Sequence, residues 1–386
     1  MKAKHYVLAA GGTGGHMVPA AALATELMRR GHRVALVSDA RGVRFPGLFA
    51  EGPGGVQTHV LPAGRFQAKR PVGWLPAARE MWRGRAMARE LYRTFRPAAV
   101  IGFGGYPAFP ALLAAFAEKI PTAVHEQNAV LGRVNRLVAR RVDAIATSYD
   151  KTERLPAKLS GKVHLVGNPV RDAVLRLRSR PYPLLEEDGI FRVLVTGGSQ
   201  GASILSQVVP DGLAMLPVTF RRRLQVTQQA RIEDIDAVRA SYAAHQIPAD
   251  LATYLPDMPE QLAWAHLVIG RAGASTIAEL TAAGRPAILV PLPGATDDHQ
   301  TANAREITAA GGARTIAQPQ FTAVELAKQM QKLGLDPAAL ENAAGRARSV
   351  GRPNAVSDLA DLVESLDAPV SRLPVPARAK QREAFA

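Results

Sequence analysis

Three stretches of this chain combine residue types and spacing that can do chemistry. Gly11-Gly12-Thr13-Gly14-Gly15-His16 follows the apolar run Tyr6-Val7-Leu8-Ala9 and precedes an Ala/Leu-rich segment. A strand, a glycine loop and a helix start bring backbone N–H groups and a partial positive charge to one point, which suits a phosphate or diphosphate. His16, at the rim, can carry a proton near neutral pH. Gly197-Gly198-Ser199-Gln200-Gly201-Ala202 repeats the arrangement after a second apolar run and adds the Ser199 hydroxyl as a donor. The third stretch is Arg271-Ala272-Gly273-Ala274-Ser275-Thr276-Ile277-Ala278-Glu279. Its hydroxyls and carboxylate share the first turns of a helix, where they can meet ribose or base, although Ser275 or Thr276 can equally serve as the cap.

Single residues add to these sets. His125-Glu126-Gln127-Asn128 ends a buried strand in four polar side chains. Asn128 can hydrogen-bond a sugar or amide there, or His125 and Glu126 can satisfy each other at a sheet end. Gly104-Gly105-Tyr106 ends another strand, as a ligand approach or as a plain tight turn. Arg171 follows Gly167-Asn168-Pro169-Val170 at the junction of the halves, within reach of a phosphate. Asp297-Asp298-His299-Gln300 has metal-binding residue types, but the carboxylates are adjacent rather than spaced, so no metal is expected. The first loop is also half of a dinucleotide fingerprint: Gly12 and Gly14 are present, Asp39 is the nominal ribose partner, and Met17 fills the third glycine position. An NAD-dependent dehydrogenase would lack part of its site.

The elements that must position these residues alternate strand and helix. In the first half the strands are 6–10, 33–38, 98–103, 122–126, 144–147 and 163–166, and the helices are 19–30, 73–94, 107–116 and 133–139. Residues 39–63 read as irregular. The pattern restarts with strand 191–196 and helix 203–216. Further strands are expected at 224–227, 252–255, 267–270 and 287–291, and helices at 232–245, 259–264, 275–283, 301–309, 324–332 and 338–348. This is an α/β chain of two Rossmann-like, doubly wound parallel-sheet domains facing across a cleft. The expected boundaries are 1–168 for the N-terminal domain and 169–350 for the C-terminal one. A helix in 351–366 returns to the first domain, and 367–386 is a mobile tail.

Composition narrows the function. The 386 residues are 47% hydrophobic and 21% charged, so the chain is globular. With no cysteine there are no disulfides, iron–sulfur centres or thiolate zinc sites, and a reducing compartment fits. The apolar run behind the basic N-terminus is too short for a signal peptide, and no run is long enough to span a bilayer. The net charge of +15 lies wholly in residues 1–168, where 25 Lys+Arg face 10 Asp+Glu. Within 65–96, nine basic residues, among them Arg79, Arg83 and Arg85, are interleaved with Trp74, Leu75 and Trp82. That pattern suits a helix lying on an anionic bilayer, and no nucleic-acid motif accompanies it. A core helix with a solvated basic face is the ordinary alternative.

Together the motifs resemble the MurG family of bacterial N-acetylglucosaminyltransferases. Residues 11–16, Gly104-Gly105-Tyr106, 125–128, 167–171, 197–202, 273–279, His299-Gln300 and Asn303-Ala304 occur in family order over about 4–365. The resemblance implies a GT-B fold and metal-independent, inverting transfer of GlcNAc from UDP-GlcNAc to the MurNAc 4-hydroxyl of undecaprenyl-diphosphate-linked lipid I, without a cofactor. It assigns Thr13, Gly14 and Gly15 to the donor diphosphate and sugar, and Asn128 and Gln300 to GlcNAc. Arg171 and Ser199 go to the phosphates, the Leu255 backbone to uracil, and Ala274, Ser275, Thr276, Ile277, Ala278 and Glu279 to the nucleotide. His16 becomes the general base, with Gly104, Gly105, Tyr106, His125 and Glu126 on the acceptor side. The implied place is the cytoplasmic face of the bacterial inner membrane, as a peripheral protein. Two departures stand out: Thr227-Gln228-Gln229-Ala230 where the family often has His-Gln-Ser-Gly, and His299 where some members carry glutamine. The alternative within this architecture is a UDP-GlcNAc 2-epimerase.

Overall fold

The computed structural model describes residues 3–42, 49, 55–62, 64, 74–186, 188–198, 201–334 and 336–366. Short apolar runs dictate most of its strands. In the first half these are β1 His5–Ala9, β2 Arg33–Ser38, β3 Gln57–Val60, β4 Ala99–Gly102, β5 Thr122–Glu126, β6 Ala144–Thr147 and β7 Val163–Leu165. The second half holds β8 Phe191–Thr196, β9 Leu224–Gln229, β10 Ala249–Ala252, β11 Leu267–Gly270, β12 Ala287–Leu289 and β13 Ala313–Thr315. The helices of the first half are α1 Gly14–Arg29, α2 Trp74–Phe95, α3 Ala108–Ala117 and α4 Arg133–Val138. Those after the junction are α5 Asp172–Leu175, α6 Ser203–Ala214, α7 Val218–Arg221, α8 Ile235–Ala244, α9 Met258–Trp264, α10 Ala274–Ala283, α11 His299–Ala309, α12 Ala323–Gly334, α13 Pro337–Ser349 and α14 Ala355–Ser365.

The strands form a seven-stranded sheet in the order β3-β2-β1-β4-β5-β6-β7 and a six-stranded sheet in the order β10-β9-β8-β11-β12-β13. Every named pairing is parallel. β1, β4, β8 and β11 are buried on both faces, which is why they read as continuous apolar runs rather than alternating ones. One side of the first sheet packs Leu23, Leu27 and Leu36, the other Ala88, Tyr92 and Leu112. The strand order reverses between β1 and β4, and again between β8 and β11. Ligands in such sheets bind outside the carboxyl ends of the strands at that reversal. Both glycine-rich loops and the 271–273 turn lie there.

Several boundaries differ from the sequence reading. α1 begins at Gly14 rather than at Pro19, and Pro19 lies inside the helix instead of opening it. Gly14, Gly15 and His16 therefore form its first turn. β10 ends at Ala252 where a strand was expected to begin, so Leu255 lies in the following loop with its side chain buried. β3 and β13 were not foreseen. β3 is four mostly exposed residues within the stretch read as irregular, and β13 is only three residues long.

The last helix lies against the first. Leu359, Ala360, Leu362 and Val363 join the core that contains Leu23 and Leu27. Arg30 reaches Asp361 and Glu364 at 2.6 and 2.5 Å, and His32 Nε2 lies 2.6 Å from Glu364. The chain therefore passes between the halves twice, near Gly167 and near Arg352. The two passages touch: a Cβ on Gly167, whose φ is +93°, would lie 2.7 Å from Arg352 Cβ.

Candidate active site

The first loop and the loop after β4 interlock. Gly11 N–H donates to Gly104 O at 3.2 Å, and a Cβ on Gly11 would meet Gly105 Cα at 2.9 Å. Gly104 and Gly105 have φ of +88° and +78°, which a side chain rarely tolerates. A Cβ on Gly104 would lie 3.2 Å from His16 Nε2. The paired glycines therefore form the seat on which the imidazole rests.

His16 Nδ1 lies 3.0 Å from Gly11 O and 3.1 Å from Thr13 Oγ1. A carbonyl only accepts, so Nδ1 carries the hydrogen and Nε2 presents its lone pair. Burial lowers the His16 pKa, against the raising pull of the Gly11 carbonyl and Glu126. The imidazole is thus neutral at pH 7, with an open acceptor nitrogen. That is the state of a general base.

Three helix N-termini converge on the cleft without side-chain caps. They are those of α1 after Thr13, α6 after Ala202 and α10 after Gly273. Neither Ser275 nor Thr276 caps α10, and Ser275 Oγ is buried without a partner. Uncapped N–H groups at the end of a helix dipole make an anion site. Arg171 Nη2 donates to Glu279 Oε1 at 2.8 Å beside the α10 N-terminus. Burial pushes the Glu279 carboxyl up, and the Arg171 guanidinium opposes that shift. Ala274 and Ile277 are buried, and Ala278 is half-buried along the same turns. Ser199 lies outside the described residues, as does the side chain of Trp74.

His125 and Glu126 are absorbed into the protein rather than presented to a substrate. His125 Nε2 donates to Gly167 O at 2.9 Å, while Nδ1 faces Gln127 Nε2 at 3.1 Å and burial drives its pKa down to about 4. Glu126, 2% exposed, accepts from Asn128 N, Asn128 Nδ2, Gly132 N and Asn135 Nδ2. The carboxylate thus shapes the loop that carries Asn128. Tyr106 is half-buried beside this loop's neighbour, Gly105.

Sequence reasoning missed what joins the halves. Asn303, fully buried on α11, accepts from Ala129 N at 2.8 Å and donates to Asn128 Oδ1 at 3.1 Å and to Ala272 O at 3.2 Å. Gln300, one turn earlier, accepts from Leu292 N at 2.9 Å and lies on the same side of the cleft. Asp297, weighed above as a metal ligand, is bound instead by Arg136 and Arg154. Among the described residues no three His, Asp or Glu side chains converge as metal ligands. The dehydrogenase reading also fails locally: Asp39 is occupied by Arg41 and Gly42 N, and Met17 is buried in the core.

Helix α2 carries the basic segment. Ala77, Met81, Ala88, Tyr92 and Phe95 line its buried face. Leu75 at 84% and Trp82 at 65% exposure lie on the other, with Arg79 and Arg83, and Arg85 Cζ stands 5.1 Å over the Trp82 ring.

Two parallel-sheet domains, with uncapped helix N-termini and a buried neutral histidine at the strand reversals, have the architecture of a GT-B glycosyltransferase. Residues 6–147 match the glycosyltransferase family 28 N-terminal domain and 192–363 its C-terminal domain. A Novosphingobium aromaticivorans UDP-N-acetylglucosamine–N-acetylmuramyl-(pentapeptide) pyrophosphoryl-undecaprenol N-acetylglucosamine transferase is 66% identical over 95% of this chain and 93% of its own. One of the same description from Zymomonas mobilis is 63% identical over 94% of this chain and 92% of its own. The crystal structure of Acinetobacter baumannii MurG superposes with a TM-score of 0.74, at 29% identity, over 94% of this chain and 99% of that one. The chain belongs to the MurG family. A Listeria monocytogenes structure described as a UDP-N-acetylglucosamine 2-epimerase reaches a TM-score of 0.67 over 95% of this chain and 96% of that one, but at 16% identity it shares the fold alone.

Proposed function

We propose that the chain transfers GlcNAc from UDP-GlcNAc to the MurNAc 4-hydroxyl of undecaprenyl-diphosphate-linked MurNAc-pentapeptide, converting lipid I to lipid II. The observation that carries this reading is His16, neutral and with Nε2 open, seated where both loops of the first switch point meet the cleft.

The acceptor hydroxyl gives its proton to His16 Nε2 as its oxygen attacks the anomeric carbon of GlcNAc. The bond from that carbon to the UDP oxygen breaks in the same displacement, which inverts the anomeric centre. Negative charge accumulates on the leaving diphosphate, where the uncapped N-termini of α6 and α10 and the Arg171 guanidinium offset it. Glu279 accepts from ribose hydroxyls, Leu255 offers its backbone to uracil, and Asn128 and Gln300 hold the sugar. Thr13, Gly14 and Gly15 border the diphosphate from the other side. Gly104, Gly105 and Tyr106 line the acceptor's approach to His16.

On the same reading the N-terminal half lies on an anionic surface at the cytoplasmic side of the bacterial inner membrane, where the lipid-linked acceptor is reached, and the exposed apolar and basic residues of α2 support it. Purified protein incubated with radiolabelled UDP-GlcNAc and a short-chain lipid I analogue yields labelled disaccharide product. UDP binding without product would overturn the transfer reading in favour of an epimerase-like one.

A further inference from the structure

The turn that opens α11 is unusual in its backbone. Asp297 and Asp298 have φ of +58° and +52°, and neither is glycine. Arg154, in the other half, has φ of +61°. Left-handed conformations at side-chain-bearing residues persist only where the surroundings hold them, and they cluster at clamps and switches.

Two of these residues, Asp297 and Arg154, meet across the halves, while the Asp298 carboxylate accepts from Thr301 Oγ1 in the first turn of α11. Asp297 Oδ2 accepts from Arg136 Nη2 at 2.6 Å, and its Oδ1 from Arg154 Nη1 at 2.6 Å. The Asp297 side chain is only 15% exposed, so both of its oxygens are committed in a partly dry setting. Arg136 belongs to α4, and Arg154 to the stretch after β6. A second pair, Arg305 with Glu153, joins the same two segments. Glu153 is in turn fastened to the Asn128 loop: its N–H donates to Ala129 O at 2.7 Å and its carbonyl accepts from Leu131 N at 2.9 Å.

The consequence lies along α11. Gln300 and Asn303 are spaced three residues apart, so they lie on one side of the first turns of α11, and Asp297 stands in the left-handed turn just before that helix. Asp297 is clamped to the N-terminal half, Asn303 is bonded to Asn128 and Ala129, and Gln300 sits between them. We infer that Asp297 is a positioning residue: its clamp with Arg136 and Arg154 fixes how far α11 closes onto the Asn128 loop, and so sets the width of the donor-sugar subsite between Gln300 and Asn128. The identity of the sugar rests on the proposed function. The clamp itself does not.

The clamp acts on the sugar rather than on the nucleotide, whose proposed contacts in this half lie at α6, α10, Arg171 and Leu255, away from the clamp. Asp297→Asn keeps the size of the side chain and removes its charge. The KM for UDP-GlcNAc then rises about tenfold, while the Kd for UDP by calorimetry stays within about twofold. The clamp is an ion pair, so the KM of the parent rises with added salt and that of the variant responds less. Arg136→Gln combined with Arg154→Gln gives the same rise, and adding Asp297→Asn to that pair changes nothing further.

A second readout needs no substrate. The chain has no cysteine, so Lys158→Cys and Lys332→Cys give one labelled site in each half. Spin-label distances between them broaden towards longer values in the Asp297→Asn variant. Arg154→Gln, at the more exposed partner, supplies the same measurement should the aspartate variant fold poorly. Unchanged distances, or equal losses of UDP and UDP-GlcNAc affinity, overturn the inference. An altered distance distribution together with an absence of transfer by the parent chain instead overturns the proposed function and leaves the clamp standing.

Discussion

A histidine serves as a base only if it is neutral when the hydroxyl arrives, and two local facts make His16 neutral. Burial disfavours its charged form, and the Gly11 carbonyl holds the hydrogen on Nδ1. The active form is therefore the unprotonated one, with a pKa below 6.5. The sign follows directly: kcat/KM stays level from neutral pH down past 6.5 and falls only as the pH drops through that lowered value. A profile whose acid limb lies above 6.5 would remove His16 from the role. His16→Ala lowers turnover by about 100-fold or more, the usual size of a general-base contribution, with UDP affinity kept because the proposed nucleotide contacts of the first half come from the backbone beside His16 and the rest lie in the other half. The residue types at this site were legible because chemistry selects them locally: a glycine loop, a histidine, a helix start. Glu126 shows the limit of that reading. It stands in a polar run that points to ligand contact, but three of its four hydrogen bonds go to its own loop and the fourth to Asn135 on α4.

At the scale of elements, the glycines of the two switch-point loops divide by what a methyl group would meet. Gly104 has a left-handed φ and faces His16, so Gly104→Ala strains the turn and lifts the imidazole from its seat. We expect a loss of about 1–3 kcal/mol in thermal or urea unfolding, with turnover reduced and UDP affinity unchanged. Gly15 is the contrasting case, because a Cβ there meets nothing within 4 Å and the residue lies in the first turn of α1. Gly15→Ala should leave stability equal or raise it by up to about 1 kcal/mol, since alanine is the better helix former. Its turnover should nonetheless fall, because the proposed function puts the donor diphosphate in the open space beside it. Activity equal to the parent's would show that the first loop does not approach the donor. Strands and helices with strong apolar periods were legible from sequence. β3 was not, because its exposed, polar residues at a sheet edge carry no apolar run, and β13 was too short to signal itself. Pro19 misled because prolines favour first turns, whereas here the helix runs through it.

At the scale of the whole molecule, the two halves are joined by contacts that no spacing in the sequence announces. Asp297 and Arg136 are 161 residues apart, and Asn303 and Asn128 are 175 apart. What the sequence did announce is that the excess positive charge belongs to one half, and the structure arranges part of it on α2 around Leu75 and Trp82. Among the described residues no helix is long and apolar enough to cross a membrane, and the membrane contact proposed above runs through this face. An apolar side chain entering the headgroup region contributes through buried area, and each nearby arginine adds about 1 kcal/mol on an anionic surface. The combined variant Arg79→Glu and Arg83→Glu reverses that attraction at two exposed positions, without touching the buried face of the helix, whereas Arg85 is half-buried and is left in place. In co-sedimentation with phosphatidylglycerol-containing vesicles, the parent chain binds and is released by added salt, whereas the variant stays in solution at low salt. The variant's turnover on a water-soluble acceptor analogue remains near the parent's, because His16 and α10 are untouched, while turnover on vesicle-embedded acceptor falls. Equal vesicle binding by parent and variant would show that α2 is a solvated basic face and that the acceptor is reached by another surface.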